Sequence, residues 1–576
     1  MVRPTDPHRA PSRGRPRRPA LGRARAWAAP LCAALVTTFG WFNPGAGQDP
    51  PDRGLYFPVG ISVSNSGKTL FVVNSNFDLR FNAGTLQALD IGEIWARAQL
   101  CMPKIANARI DASTGKTIPK DPDRICALGT DPSQADVTDL IKTSVRIGAF
   151  GADVVTTPRF AADGTPDPAG APRGRLMIPV RGDATLTLVD YEETPDASGN
   201  IVARKLICSR NAVPNSFGSA CAAEWRVGGD ATQNSRQIAL EGEPFAVAVP
   251  GYWPTTPLVP DPDPTKPNSF ESPRSVNGVA AIVHQQTGDV SVFVGTAGLD
   301  NQTIPQAKLA FTINGIPPGG TFITPLDLVD EHPFTPRFLV TTRSQADVYV
   351  LSFFADKGSP DRSGLAIYDT VLIPTQSTGF DSRGIVVDPP EDGEVRPIRV
   401  FLTSRTPASL VVGEINPVDH RLRFFDNQQL PIGPSRVVRA RLDVELPDGT
   451  FVKRTRLLAT SFDGRFVTSY DPDLRTNTDV VRTGKGPYTI VVSPSSGTRT
   501  PSDDADPAKR FRPQLGFVTN FTDSTIQVID LDPRAGLFDD ELEAAGHPEK
   551  KAPPGTLGPL FGQVIYTVGS VQQPGT

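Results

Sequence analysis

Cysteine, histidine and methionine are scarce in this 576-residue chain, at five, five and three residues. That stock excludes a dense disulfide scaffold and leaves little material for a soft-metal site. No CxxC or CxxCH spacing occurs, which removes a thioredoxin-type redox pair and an attached c-type haem. Beyond the first few residues the histidines are His284, His332, His420 and His547, with no HxH or HxxxH pair among them. No GxSxG elbow, Walker loop or dinucleotide fingerprint stands between a strand-like and a helix-like run. Charge of one sign is missing too: 58 Lys and Arg face 62 Asp and Glu, for a net charge of −4. Without a basic field, nucleic acid is not expected as a partner. After residue 42 there is no long apolar run, so membrane contact is expected only through the N-terminal segment, if it is retained.

Proline and glycine, by contrast, are plentiful, at 58 and 51 residues. Such punctuation suits short strands joined by turns better than long helices. The N-terminus has its own pattern. Eight arginines lie between Arg3 and Arg25, an apolar stretch runs from Ala26 to Phe42, and Gly45-Ala46-Gly47 follows. Basic, then apolar, then small is the order of a secretory signal, so residues 1–47 read as a signal peptide or an N-terminal anchor. The rest is then expected in the periplasm or outside the cell. Four cysteines remain, in two local pairs, and Cys101–Cys126 and Cys208–Cys221 are the expected disulfides.

Comparing the chain with itself exposes a repeat. Pro58 to Val63 is a short strand, Asn65-Ser66-Gly67-Lys68 a turn, Thr69 to Asn74 a second strand and Thr85 to Asp90 a third. The first strand returns at Pro244 to Val249 and Pro487 to Val492. Looser copies are Ala152 to Val155, Pro325 to Leu328, Ser382 to Val387 and Ser435 to Val438, which makes seven. Outer strands precede several units, as Ser144 to Gly148 and Val480 to Gly484 do, and Val564 to Gly569 repeats the signature at the C-terminus. The fold expected is all-β: a seven-bladed β-propeller of four-stranded antiparallel blades over residues 48–576. Long insertions are expected at residues 93–143 in the first blade and 192–240 in the second.

The segments Phe71-Val72-Val73-Asn74 and Gly516-Phe517-Val518-Thr519-Asn520, each followed by an apolar strand ending in Asp90 or Asp530, resemble the YVTN-type β-propeller repeat. In the fourth to sixth units, Arg or Phe replaces the Asn. The resemblance implies the propeller fold. Propellers of that kind include lactonases, cofactor-dependent amine dehydrogenases, haem-bearing reductases and non-enzymatic binding proteins.

Two sets of residues emerge as candidate ligand contacts. The ends of the second strands read Asn74, Arg181, His284, Arg343, Arg405, Phe462 and Asn520. In a propeller, matching positions form a ring, and Arg181, His284, Arg343 and Arg405 would bias it toward a carboxylate or phosphate. Alternatively, these residues brace their own turns. The starts of the first strands carry Asp153, Asp327, Arg383 and Arg436, readable as salt bridges across a channel mouth or as contacts to a polar ligand. No metal site or cofactor is expected. Asp530, Asp532 and Glu541 echo a calcium loop, but Gly536 falls one place late and Arg534 occupies a ligand place. The function expected is an exported, non-catalytic binding propeller for a protein or a small anionic ligand. The alternative is a lactonase-like hydrolase or a quinoprotein-type oxidoreductase subunit with its site at the channel mouth.

Overall fold

A computed structural model describes residues 47–98, 137–159, 167–168, 170–228, 240, 242–250, 279–294, 307–326, 337–354, 364–372, 381–390, 394–416, 421–445, 451–494, 514–532 and 562–569. They form seven antiparallel sheets, each built on four strands. Sheet one is β1 (Pro58–Val63), β2 (Thr69–Asn74), β3 (Gly84–Asp90) and β4 (Ile141–Ile147). Sheet two is β5 (Val155–Thr157), β6 (Arg173–Val180), β7 (Thr185–Pro195) and β8 (Ile201–Ile207). Two short strands extend these sheets: β9 (Ser219–Ala220) runs parallel to β4, and β10 (Arg226–Val227) pairs with β7. Sheet three holds β11 (Pro244–Ala248), β12 (Val279–His284), β13 (Val290–Val294) and β14 (Lys308–Ile313). Sheet four holds β15 (Gly320–Leu326), β16 (Arg337–Thr342), β17 (Asp347–Phe354) and β18 (Gly364–Leu372). Sheet five holds β19 (Ser382–Asp388), β20 (Ile398–Arg405), β21 (Ala408–Ile415) and β22 (Leu422–Gln429). Sheet six holds β23 (Pro434–Glu445), β24 (Phe451–Ser461), β25 (Phe466–Asp471) and β26 (Thr476–Arg482). Sheet seven holds β27 (Pro487–Val492), β28 (Leu515–Asn520), β29 (Thr525–Asp530) and β30 (Gln563–Val568).

The middle strands explain why the repeat is so apolar. Every residue of β2, β12, β16, β28 and β29 is buried, so both faces of each sheet are covered. A strand covered on both sides reads as a continuous apolar run, not an alternation. The covers are the neighbouring sheets. Side chains of sheets three and four share one cluster around Val283 and Phe338, and those of sheets five and six share another around Phe401 and Tyr470. Leu70 and Val72 of sheet one meet Phe517, Val528 and Ile565 of sheet seven in a further cluster. β5 lies against β1, β11 lies against β6, the first strands from β11 to β27 neighbour one another in chain order, and β27 lies against β1. These features are consistent with a β-propeller.

Several local readings need correction. The first strand of the fourth unit is Gly320–Leu326, so Pro325 and Leu326 end it, and Asp327 lies outside the described residues. In the second unit β5 starts at Val155, and Asp153 stands just before it. Residues 192–240 supply the end of β7 and all of β8, β9 and β10. Residues 91–98 are helical, while 99–136, with Cys101 and Cys126, lie outside the described residues. Cys208 and Cys221 are bonded, with Cα atoms 4.8 Å apart. No helix among the described residues is long and apolar enough to cross a membrane.

Candidate functional site

One turn is repeated seven times on one end of the sheets. Ser75, Arg181, Gln285, Arg343, Arg405, Phe462 and Phe521, which follow the second strands or, for Arg405, end one, each donate a backbone N–H to a carbonyl ahead of the first strand. The acceptors are Phe57, Phe150, Glu243, Gly319, Asp381, Gly433 and Gly486 respectively. All seven acceptors have positive φ, from 49° at Phe57 to 97° at Gly319. Three are glycine, which takes this conformation freely; a residue with a Cβ is held there at a cost of about 1–2 kcal/mol.

This bond resets the ring of candidate ligand residues. Pro58 pairs with Asn74, Pro244 with His284, Gly320 with Thr342, Ser382 with Ser404, Pro434 with Ser461 and Pro487 with Asn520. Arg343, Arg405 and Phe462 are therefore one residue past the places of Asn74, His284 and Asn520, and so is Arg181 after its β6 end, Val180. One residue along a strand turns a side chain to the opposite side. Asn74, His284 and Asn520 are buried braces. Asn74 Nδ2 donates to Thr85 Oγ1 at 2.9 Å, Asn520 Nδ2 to Thr525 Oγ1 at 3.3 Å, and His284 Nε2 lies 2.9 Å from Ser291 Oγ. Having no exposed surface, His284 leaves the candidate ligand set.

The arginines do face this end, and most are engaged. Arg181 reaches Glu243 at 3.1 Å and lies over Phe245 at 5.7 Å. Arg405 pairs with Asp463. Arg383 pairs with Asp381 of its own turn at 2.6 Å. Arg343 is exposed, and its guanidinium has no partner among the described residues.

Deeper in, side chains from in and beside four sheets converge. Arg436 of β23 is 6% exposed and reaches Asp153, just ahead of β5 of sheet two, at 3.3 Å. Its guanidinium carbon lies 4.3 Å from the ring centre of Phe322 in β15 and 5.6 Å from that of Tyr488 in β27. Burial works against the guanidinium charge, but Asp153 and Tyr488 outweigh it, and the Arg436 pKa is raised. Two charges and two rings, contributed from sheets four, six and seven and from beside sheet two, meet here.

Above this ion pair lies a cluster of rings that the sequence reading missed. Tyr488 packs on Phe521 at 6.4 Å, Phe521 on Phe57 at 4.9 Å and on Phe77 at 5.3 Å, and Phe77 on Phe150 at 6.1 Å. Phe462 joins through Phe521 at 6.1 Å. Phe77 is 54% exposed. A signal existed: aligned on the repeated turn, Phe57 and Phe150 stand where three other units have glycine. Among the described residues, no three His, Cys, Asp or Glu side chains converge as cation ligands. Asp530 and Asp532 are buried at the end of β29, and Glu541 lies outside the described residues.

No family model matches the chain, and no curated protein does. Among solved structures it is similar to hydrazine synthase of Kuenenia stuttgartiensis, at 11% identity and a TM-score of 0.36, over 85% of this chain and 99% of that one. It is also similar to a putative 6-phosphogluconolactonase of Bacteroides fragilis, at 12% identity and a TM-score of 0.35, over 75% and 85%. AztD of Citrobacter koseri matches at 9% identity and a TM-score of 0.33, over 85% and 81%. Overlaps this low carry no argument about activity.

Proposed function

We propose that the chain is an exported, seven-bladed β-propeller that works as a binding module through the face carrying Phe77. The packing of sheet seven on sheet one supports a closed circle of seven blades. The buried Cys208–Cys221 bond supports an oxidising compartment, which agrees with removal of residues 1–47 as a signal. The observation that carries the binding reading is the crown of Phe57, Phe77, Phe150, Phe462 and Phe521 around the mouth of the axis. Phe77 is exposed and the other four rings are half-buried around it, and exposed apolar surface that is contiguous marks interaction sites. Aromatic and Arg side chains are also those that dominate interface energetics. The Arg436–Asp153 pair forms the floor, so a partner is taken on the face and not threaded through. The test is site-specific photo-crosslinking in the native cell. A photoreactive phenylalanine at position 77 should give adducts, and the same group at exposed Val202 of β8 should give none. Adducts at neither position, or equally at both, would remove this face from consideration.

A further inference from the structure

We infer that Asn314 is a site of spontaneous covalent modification, at which the side-chain amide is lost and aspartate or isoaspartate takes its place. This reaction runs fastest where glycine follows asparagine, because no Cβ crowds the ring that must close. It also requires a side-chain amide free to turn and a backbone N–H behind it that is not tied up. The connection between β14 and β15 supplies all three. Asn314 and Gly315 are both exposed, and Gly315 has φ of 102°, a conformation open to glycine. Among the described residues, neither the Asn314 side chain nor the Gly315 N–H makes a hydrogen bond.

The chemistry uses only water. The Gly315 nitrogen gives its proton to solvent and attacks Asn314 Cγ. A bond forms between that nitrogen and Cγ, the Cγ–Nδ2 bond breaks, and ammonia leaves with a proton taken back from solvent. The product is a five-membered succinimide ring. Water then opens the ring. Cleavage at Cγ gives aspartate in the original backbone. Cleavage at the backbone carbonyl carbon gives isoaspartate, whose main chain runs through the side chain and is one atom longer. The sum is one water consumed and one ammonia released.

Other asparagines with a small successor are held back by their bonds. Three Asn-Ser pairs lie among the described residues, at Asn65, Asn74 and Asn215. Asn74 is 2% exposed, its Oδ1 accepts the Tyr56 N–H at 3.0 Å, and its Nδ2 donates to Thr85 at 2.9 Å. The nitrogen behind it, that of Ser75, donates to the Phe57 carbonyl at 3.0 Å. Asn65 Nδ2 donates to the Arg173 carbonyl at 3.1 Å, and Asn215 Oδ1 accepts the Arg204 N–H at 2.9 Å. The chain's other Asn-Gly pair, Asn277-Gly278, lies outside the described residues. The place of Asn314 gives its conversion a consequence. Ile313 and Ile316, 7% and 3% exposed, both belong to the cluster shared by sheets three and four. Asn314 and Gly315 thus form an exposed arch pinned on both sides, and the extra backbone atom of isoaspartate has to be absorbed between two buried side chains.

The experiment incubates the whole mature chain in mildly alkaline buffer made with heavy-oxygen water and maps its peptides by mass spectrometry. The peptide holding Asn314 should gain the mass of the amide-to-acid change, carry the heavy oxygen and separate into two isomers. Asn65, Asn74 and Asn215 should convert at least about ten-fold more slowly, since the structure around them has to open first. Gly315→Ala should slow the conversion at 314 at least about ten-fold, because its Cβ restricts the backbone that closes the ring. Aged wild type should also unfold at a lower urea midpoint than equally aged Asn314→Gln, whose longer side chain closes the ring poorly; the comparison cancels changes elsewhere. An Asn314 that stays intact while a synthetic peptide of the same sequence converts would overturn the inference. So would conversion no faster than at Asn74, or an undiminished rate in Gly315→Ala. Equal midpoints would refute the pinning by Ile313 and Ile316.

Discussion

At the scale of single residues, the repeated turn makes a prediction whose sign is opposite to habit. Replacing glycine with alanine usually stabilises a chain by about 0.4–1 kcal/mol, because it restricts the unfolded state. Gly486 has φ of 68°, and an added Cβ would lie 2.6 Å from Thr522 Oγ1 and 3.1 Å from the Phe462 ring. Gly486→Ala should therefore lose about 1–3 kcal/mol, read as a lower urea midpoint at unchanged slope. A midpoint that rises would mean the seven turns do not share one conformation. Tyr470 offers a second case. It is 1% exposed, and its hydroxyl has no hydrogen-bond partner among the described residues. Burial pushes its phenol up to about 12, with nearby Asp426 adding to the shift. A folded pKa above the unfolded value of about 10 means the neutral ring is favoured on folding. That contribution is whole below pH 10 and is lost as pH rises toward 12. Tyr470→Phe deletes an unsatisfied buried group and the titration together. It should gain about 1 kcal/mol at neutral pH and flatten the alkaline loss of stability, measured by urea titration across that range.

At the scale of elements, the strands were legible and their phases were not. Strands β2, β12 and β28 announce themselves because both faces are buried, and continuous apolar runs need no alignment to find. Arg181, Arg343 and Phe462 fall one residue past their strand ends while Arg405 does end β20, because a strand's last residue is fixed by a backbone bond to a distant carbonyl, which leaves no side-chain mark. Phe57 and Phe150 were hidden for the same reason: they occupy glycine's place in a conformation that a phenylalanine does not advertise. The partners of β9 were also invisible, since two residues carry no pattern, yet they do specific work. Outer strand β4 would offer an open edge, and the loop between Cys208 and Cys221 covers it. The Ser144 N–H donates to the Ser216 carbonyl at 3.1 Å, and the Cys221 N–H to the Arg146 carbonyl at 3.0 Å. Cys208→Ser/Cys221→Ser frees this loop at a cost of about 3 kcal/mol. We expect faster hydrogen exchange at the Ser144 amide and concentration-dependent association in sedimentation velocity, because an uncovered edge recruits another chain. Unchanged exchange at Ser144 would show that the edge cover needs no staple.

At the scale of the whole domain from Gln48 to Thr576, the seam between the first and last sheets is unlike a strand-exchange closure. Sheet one takes β1 to β4 and sheet seven takes β27 to β30, so each is continuous in the chain and neither lends a main strand to the other. Side-chain burial must hold the seam, helped by the Phe57 N–H donating to Ser524 Oγ at 3.1 Å. Its centre is Phe517, without exposed surface, packed in one cluster with Leu70, Val72 and Ile565. Phe401 is as buried and serves the seam between sheets five and six, where the chain runs directly from one sheet to the next. Phe→Ala at either place leaves a cavity and should cost about 3–5 kcal/mol. The two should differ in where the loss falls. With Phe401→Ala, the tether between β22 and β23 keeps the sheets in register, and exchange should rise mainly near the cavity. With Phe517→Ala, β1 and β27 have no such tether, so the amides of β1, β2 and β28 should exchange together as one opening unit. Hydrogen exchange resolved by peptide distinguishes the two outcomes. If Phe517→Ala leaves β1 as protected as Phe401→Ala does, β1 is held in place by the Arg436–Asp153 pair and its rings, and Asp153→Asn should then open β1 where Phe517→Ala did not.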